Sequence, residues 1–284
     1  MKIYDCFTFL NEFELLELRL RELYDHVDHF VIVEANRTFQ NNFKPLYYAD
    51  NHKRFDQWKD KIIYVSVTDM PEDTDTWGRE RHQRDAILRG LPNAEPNDII
   101  MIGDADEIPR VETVQRLRSS SRSIWGFRMP LFNIKFNYMM VTQDYYSVWS
   151  GAFRFNIKNS PEDFRRMRHQ LNSFPYNYQD DNVEIVEHAG WHFTYLGNEE
   201  FAKIKIQSFA HNETNQPQIL DKLDINQSIA SGDGIIAHPS YKFTTVAVDD
   251  YLPQTIINNP EEFADNLITN LSAVSARQHL PAML

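Results

Sequence analysis

The chain has 284 residues, 42% hydrophobic and 25% charged, with 19 Phe, 13 Tyr and 5 Trp. Such a length buries roughly three quarters of its unfolded surface in one large α/β domain, or one domain plus a small appendage, and the composition excludes a disordered polymer. A net charge of −12 argues against nucleic acid as a partner and means that an anionic ligand must be met by cations concentrated locally.

Cys6 is the one cysteine, so an internal disulfide is excluded, and its place in an apolar stretch predicts a buried thiol. Met1-Lys2 leads at once into a strand, without a signal-like stretch, and no apolar run approaches the length of a transmembrane helix. The expectation is a cytoplasmic protein of bacterial or viral type. Under that expectation the Asn-x-Ser/Thr triplets at Asn36, Asn212, Asn226 and Asn270 are chance.

Lys2 to Phe9 reads as a short strand. Asn11, with Glu14 three residues on, predicts a helix start close to a capping box. Phe13, Leu16, Leu20, Leu23 and Val27 then recur at helical spacing. Glu12 falls in the first turn, where the helix dipole favours an acid. Phe30 to Val33 is a second buried strand ending in Glu34, an acid at the binding edge or in a surface ion pair. Ile62 to Val65 is a third. Strands alternating with helices at this spacing predict a mostly parallel sheet.

The next helix starts around Asp75 or Thr76 and ends at Gly90. Its first half, Gly78-Arg79-Glu80-Arg81-His82-Gln83-Arg84-Asp85, carries no large apolar side chain. A solvated helix end explains such runs. This one leads into the most acidic strand end of the chain, and its arginines are the cations that the net charge requires, which favours phosphate binding.

Ile99-Ile100-Met101-Ile102 reads as a buried strand, followed by Gly103-Asp104-Ala105-Asp106-Glu107-Ile108-Pro109. In an extended segment alternate side chains share a side, which would set Asp104 beside Asp106. Paired carboxylates repel unless a cation lies between them, and a hard divalent ion takes oxygen ligands. A lone D-x-D is as well explained by a solvated acidic turn. Here the buried strand and the third carboxylate favour a metal, at the edge where open α/β sheets bind ligands.

Beyond a short helix marked by Val111, Val114 and Leu117, Ile124 to Phe155 reads as antiparallel strands rich in aromatic and β-branched residues. Pro161 to Leu171 is a basic helix with Arg165, Arg166 and Arg168, Glu184 to Tyr195 is strand, and Glu199 to His211 is helical. Asn259-Pro260-Glu261-Glu262 opens a last amphipathic helix through Phe263, Leu267, Leu271 and Val274. His188 and His192 are four apart, but Gly190 between them and the missing Glu of H-E-x-x-H argue against a zinc helix.

The ordered set Asp5-Cys6-Phe7, Phe9-Leu10-Asn11-Glu12, Val31-Ile32-Val33-Glu34, Arg79-Glu80 with Gln83-Arg84, Gly103 to Pro109, Gly190-Trp191-His192-Phe193, and Lys205 with Ser208-Phe209-Ala210-His211 and Glu213 resembles glycosyltransferase family 17. The resemblance runs from residue 3 to about 215. It implies a GT-A type α/β fold with a mostly parallel central sheet and a mixed second half. Residues 1–110 would bind the nucleotide sugar, 111–245 would form the acceptor side and 246–284 a helical tail. It further implies an inverting, Mn²⁺- or Mg²⁺-dependent transfer of N-acetylglucosamine from UDP-GlcNAc to a glycan or other hydroxyl acceptor.

On this resemblance Asp104 and Asp106, with His192 rather than His211, hold the metal. Phe7, Asn11, Glu12, Glu34, Arg79, Arg84, Asp104, Trp191 and Lys205 bind the nucleotide sugar, with Trp191 available to stack on a sugar face. Glu213, in competition with Asp181, takes the acceptor proton. Two other readings remain open. A nucleotidyltransferase shares the acidic pair, but residues 8–14 have none of the Gly, Lys or Arg of its usual loop. A non-catalytic carbohydrate-binding protein could use the aromatics with a structural ion.

Overall fold

The computed structural model describes residues 1–142, 148–155, 181–249 and 251–269. In chain order the first elements are β1 (Ile3–Phe9), α1 (Phe13–Leu23), β2 (His29–Ala35), α2 (Tyr47–Asn51), β3 (Ile62–Val67), α3 (Thr76–Asp85), β4 (Ile99–Asp104), β5 (Glu107–Pro109), α4 (Val111–Ser119) and β6 (Ile124–Arg128). Next come β7 (Leu131–Asn133), β8 (Tyr138–Met140), β9 (Val148–Arg154), β10 (Val183–Val186) and β11 (Gly190–Thr194). Then follow α5 (Glu199–Ser208), α6 (Pro217–Leu220), α7 (Ile225–Ser231), β12 (Phe243–Thr245) and α8 (Gln254–Asn258). The basic helix expected over 161–171 and the later part of the last helix, with Leu271 and Val274, lie outside the described residues.

The chain divides into two compact units, Met1–Met129 with Ser147–Gly190, and Pro130–Tyr146 with Trp191–Leu284. These units interleave along the sequence, whereas the divisions expected at 110 and 245 are consecutive.

A seven-stranded sheet organises the first unit, in the order β10-β6-β9-β4-β1-β2-β3. β1, β2, β3 and β4 are parallel, and β9 runs antiparallel between β4 and β6. From β1 the chain steps outward to β2 and β3, then returns to place β4 on the other side. The strand order therefore reverses between β1 and β4, the kind of crevice where open α/β sheets take ligands. The parallel strands are near-continuous apolar runs because both faces are covered. Tyr4, Cys6, Val31, Val33, Ile100 and Ile102 pack with Ala86, Ile87 and Leu91 on one face. As the sequence predicts, Cys6 is fully buried, which pushes its thiol well above its ordinary range.

Three local expectations shift. Helix α1 starts at Phe13 with Glu12 at the cap position. Asn11 is not the cap, because the Glu12 carboxylate accepts from Leu10 N–H (3.0 Å) and Asn11 N–H (3.1 Å) and takes over the turn. Helix α3 is capped by Asp75, which accepts from Gly78 N–H at 2.6 Å, but tightens to a 3₁₀ turn over Ala86–Gly90. Finally, Ala105 and Asp106 form a turn rather than extended chain, so the alternation argument that paired Asp104 with Asp106 does not apply.

In the second unit β7 pairs with β8 and β8 with β12, both antiparallel, while β11 lies parallel to β7. Asn137 staples the unit: its side chain donates to Val246 O and Ile268 O and accepts from Ile268 N–H. Phe136 meets Phe193 and Phe263 edge-on. Phe263 belongs to a 3₁₀ segment, Pro260–Asn266, where an α-helix was expected.

Candidate active site

The sheet register sets Thr8, one residue before the end of β1, directly beside Asp104, the last residue of β4. Thr8 Oγ1 donates to Asp104 Oδ1 at 3.2 Å. From α3, Arg84 Nη2 reaches Asp104 Oδ1 at 2.9 Å and Glu80 Oε1 at 2.9 Å. Arg84 is 5% exposed, and its Nη1 is buried with no hydrogen-bond partner among the described residues. A buried donor left over beside two carboxylates is costly unless something else supplies an acceptor. The Asp104 side chain is 32% exposed, whereas Asp106 is 5% exposed.

Behind these acids the loop is tied to the core. Asp104 N–H donates to Glu107 Oε2 at 2.8 Å. Arg19, on α1, donates through Nη1 to Asp104 O (2.9 Å) and Glu107 O (2.8 Å). Its Nε and Nη2 grip the Asp5 carboxylate at 2.7 and 2.6 Å, and its guanidinium lies over the Phe7 ring at 4.3 Å. On the far side of β5, a Cβ at Gly190 would meet Ile108 O at 2.1 Å and Pro109 Cα at 2.7 Å, so only glycine permits that approach.

The other expected residues of this unit lie in the same sheet or beside it. Phe7 is fully buried. Glu34 is also fully buried, accepting from Tyr48 N–H (3.0 and 3.1 Å), Ala49 N–H (3.4 Å) and Tyr64 Oη (3.0 Å), with Lys44 Nζ at 3.6 Å. Burial pushes the Glu34 carboxyl up and the Lys44 ammonium down, against their mutual attraction. Arg79 is buried and spends its donors on Phe39 O (2.7 Å), Thr74 O (2.7 Å) and Glu72 O (3.4 Å). Asp181 is fully exposed, with Arg122 at 3.8 Å.

In the second unit, Trp191 is 3% exposed. Its Nε1 donates to Tyr251 O at 2.6 Å and its ring stacks on Phe193, so the sugar-stacking face expected of it is packed inside the unit. His192 is half-buried, and its backbone N–H donates to Pro130 O at 3.1 Å. Lys205 is buried with its ammonium 5.2 Å from the Phe209 ring centroid. His211 Nδ1 and Glu213 Oε1 are 2.6 Å apart on an exposed turn. The Glu213 carboxyl is held below its ordinary range by a backbone hydrogen bond and by His211.

Thr8, Arg19 and Lys44 were not singled out from the sequence, and Asp5 entered only as part of the resemblance. A signal for two of them was present: Asp5 interrupts an apolar strand, and Arg19 falls among Leu16, Leu20 and Leu23 on the buried stripe of α1. Opposite charges on two facing apolar surfaces imply a pair.

Among the described residues no group of three or more His, Cys, Asp or Glu is arranged to hold a metal ion. The donor chemistry of Asp104 and Asp106 nonetheless fits a hard divalent ion, because Mg²⁺-type sites use one or two carboxylates and fill the remainder with phosphate oxygens and water. No described helix is long and apolar enough to cross a membrane.

The fold defines a mixed α/β protein whose β1/β4 edge is acidic and backed by an arginine. The chain belongs to glycosyltransferase family 17, whose model matches residues 1–249. It is similar to the β-1,4-mannosyl-glycoprotein 4-β-N-acetylglucosaminyltransferases of rat, 32% identical over 126 residues, and human, 34% identical over 117 residues. These matches cover 41% and 38% of this chain but only 23% and 22% of the mammalian proteins. Among solved structures it is similar to the 2-C-methyl-D-erythritol 4-phosphate cytidylyltransferase of Francisella tularensis (TM-score 0.37, 13% identity, covering 73% of this chain and 100% of that one). It is also similar to the inositol-1-phosphate CTP transferase from T. maritima (TM-score 0.36, 9% identity, covering 71% and 94%). At those scores neither likeness bears on the chemistry.

Proposed function

We propose that the chain is a GT-A type, metal-dependent, inverting glycosyltransferase that moves N-acetylglucosamine from UDP-GlcNAc to a hydroxyl of a glycan acceptor. Family membership supports the transferase class. The observation that carries the rest is Asp104: a partly exposed carboxylate at the strand-order reversal, held between Thr8 and Arg84, whose Nη1 has no acceptor among the described residues.

In this reading Asp104 and Asp106 hold Mn²⁺ or Mg²⁺, and His192 joins them from the resemblance alone. When bound, the ion supplies neutralisation of the departing nucleoside diphosphate. Arg84 turns its spare nitrogen to a phosphate oxygen. Arg79 works at one remove, by holding the carbonyls of residues 39, 72 and 74. Phe7, Asn11, Glu12 and Glu34 shape the nucleotide edge, with Lys44 tied to Glu34. Lys205 and Trp191 serve the sugar side from within their own unit. The acceptor oxygen forms its bond to the anomeric carbon as the bond to the diphosphate oxygen breaks, and the acceptor proton passes to Glu213, with His211 bonded beside it. Asp181 is the competing base.

Incubation with UDP-GlcNAc, Mn²⁺ and a glycan panel should release UDP and add one hexosamine mass to an acceptor. Formation of UTP and N-acetylglucosamine 1-phosphate from the same donor only when pyrophosphate is added would make the protein a nucleotidyltransferase, and binding without turnover of any nucleotide sugar would make it a carbohydrate-binding protein. Glu213→Gln should lose transfer while still binding UDP; if Asp181→Asn does so instead, the base is Asp181.

A further inference from the structure

Arg19 is almost completely buried, yet it sits beside the acidic loop rather than in an ion-pair network at the surface. Its planar fork is used to capacity. One edge, Nε and Nη2, is satisfied bidentately by the fully buried Asp5 carboxylate. The remaining nitrogen, Nη1, lies within hydrogen-bond distance of Asp104 O and Glu107 O, with Ala105 O at 3.5 Å. These carbonyls come from both sides of the Ala105-Asp106 turn. One guanidinium thus gathers the inward-facing carbonyls of the loop that bears both acids.

We infer that Arg19 is a positioning residue for the acidic loop: locked by Asp5 and seated on Phe7, it fixes the turn from which Asp104 and Asp106 present their carboxylates to a divalent cation. The inference rests on the metal-dependent reading above and adds a residue that does not itself touch the ion. An ion pair this deeply buried adds little net stability, since well-packed apolar residues often replace such pairs without loss. What apolar residues cannot replace is a planar donor that addresses two carbonyls with one nitrogen while its other edge is held. Lysine cannot either, because its ammonium is a compact point charge without the fork. Within the loop the Glu107 carboxylate accepts from Asp104 N–H, while the guanidinium supplies donors to the carbonyls on both sides of the turn.

The test is Mn²⁺ titration in the presence of UDP, followed by electron paramagnetic resonance, on the full chain. Arg19→Lys keeps the charge and loses the fork. The double variant Asp5→Asn with Arg19→Gln leaves no orphaned charge. Asp98→Asn serves as a stability control, because Asp98 is equally buried and braces Lys2 N–H (2.6 Å) and Glu95 N–H (2.8 Å) at the opposite, amino edge of the sheet. Both Arg19 variants should weaken Mn²⁺ by about 10- to 100-fold, the usual cost of disturbing the support of a metal ligand. They should also lower kcat more than they raise KM for the nucleotide sugar. Asp98→Asn should lower the melting temperature and leave Mn²⁺ affinity unchanged. Arg19 variants that melt earlier but bind Mn²⁺ like the wild type would reduce Arg19 to a fold residue, with the functional reading intact. Failure of both Arg19 variants to fold would assign it to the fold in the same way. A wild-type protein that binds no Mn²⁺ with UDP would remove the functional reading itself, and this inference with it.

Discussion

Glu34, next to last in β2, and Asp104, last in β4, are each an acid after an apolar run at the carboxyl edge of the same sheet, yet their surroundings are opposite. After β2 the chain returns to lay the first turn of α2 over Glu34. Its carboxylate then receives Tyr48 N–H, Ala49 N–H and the Tyr64 hydroxyl, with Lys44 alongside. Burial pushes the Tyr48 phenol up to about 12, with Asp56 and then Glu34 adding to it. After β4 the chain makes a two-residue turn into β5, and the Asp104 side chain stays 32% exposed. Its cation, Arg84, arrives from a separate helix with a nitrogen to spare. An acid at a strand end is therefore closed or open according to the course of the chain that follows it.

The largest effect should come from the open acid. Asp106→Asn or Asp104→Asn removes charge but not size, and turnover of the nucleotide sugar should drop about 10²- to 10³-fold, with the melting temperature little changed. Near-normal UDP release in both variants, or activity indifferent to EDTA, would sink the metal reading. The closed acid should behave in reverse. Glu34→Ala leaves Lys44 buried without its carboxylate, and chemical denaturation should show a loss of about 3 kcal/mol, as for a broken buried pair. A loss below about 1 kcal/mol would erase the distinction between the two acids.

A smaller effect separates the two buried arginines of α3. Arg84→Ala should weaken UDP by about tenfold, or roughly 1.4 kcal/mol, in calorimetric titration. Arg79→Ala should be felt mainly as lost stability, because its guanidinium donates to the carbonyls of Phe39, Glu72 and Thr74. Equal UDP affinity in Arg84→Ala and wild type would return α3 to a purely structural helix.

The smallest effect is at the surface of the same unit. Asp69 is held at a pKa of about 2 by hydrogen bonds from Arg89, below its ordinary value. A depressed carboxylate contributes stability above its unfolded pKa, near 4, and loses it as pH falls toward 2. The difference in melting temperature between wild type and Asp69→Asn should therefore be full at neutral pH and shrink below about pH 4. A difference that grows on acidification would contradict the Arg89 pairing. Solvent screening keeps it small throughout.

Much of this architecture is legible in the residues themselves. The apolar runs at Ile3–Phe9, Phe30–Val33, Ile62–Val65 and Ile99–Ile102 give four parallel strands because a doubly covered sheet needs continuous hydrophobic strands. The acidic strand end and the polar helix before it fall where the strand order reverses. Less legible is whatever depends on the course of the chain between elements. Nothing local distinguishes Glu34 from Asp104, or Arg79 from Arg84, since burial and the choice of partner are set by loops that bring distant carbonyls and carboxylates together. The antiparallel reading of residues 124–155 fits β9 against β6 and β7 against β8, but the parallel pairings of β10 with β6 and of β11 with β7 join segments that no hairpin links. Trp191 resembles a sugar platform in sequence because an aromatic between Gly and His shows no sign of which side is covered.

The contact between Thr8 and Asp104 spans 96 residues, and under the proposed function that separation would couple ligand binding to the order in which the sheet assembles. β1, β2 and β3 can pair through local crossovers, but the ligand edge exists only once β4 has docked on β1. Long-range parallel pairing of this kind is slow, because loop closure must precede the contacts that reward it. Under the proposed function a nucleotide at that edge would recognise the finished sheet alone. By mass action it stabilises that sheet by about 2.7 kcal/mol at one hundred times its Kd, and the recovery of nucleotide binding after dilution from denaturant times the docking of β4.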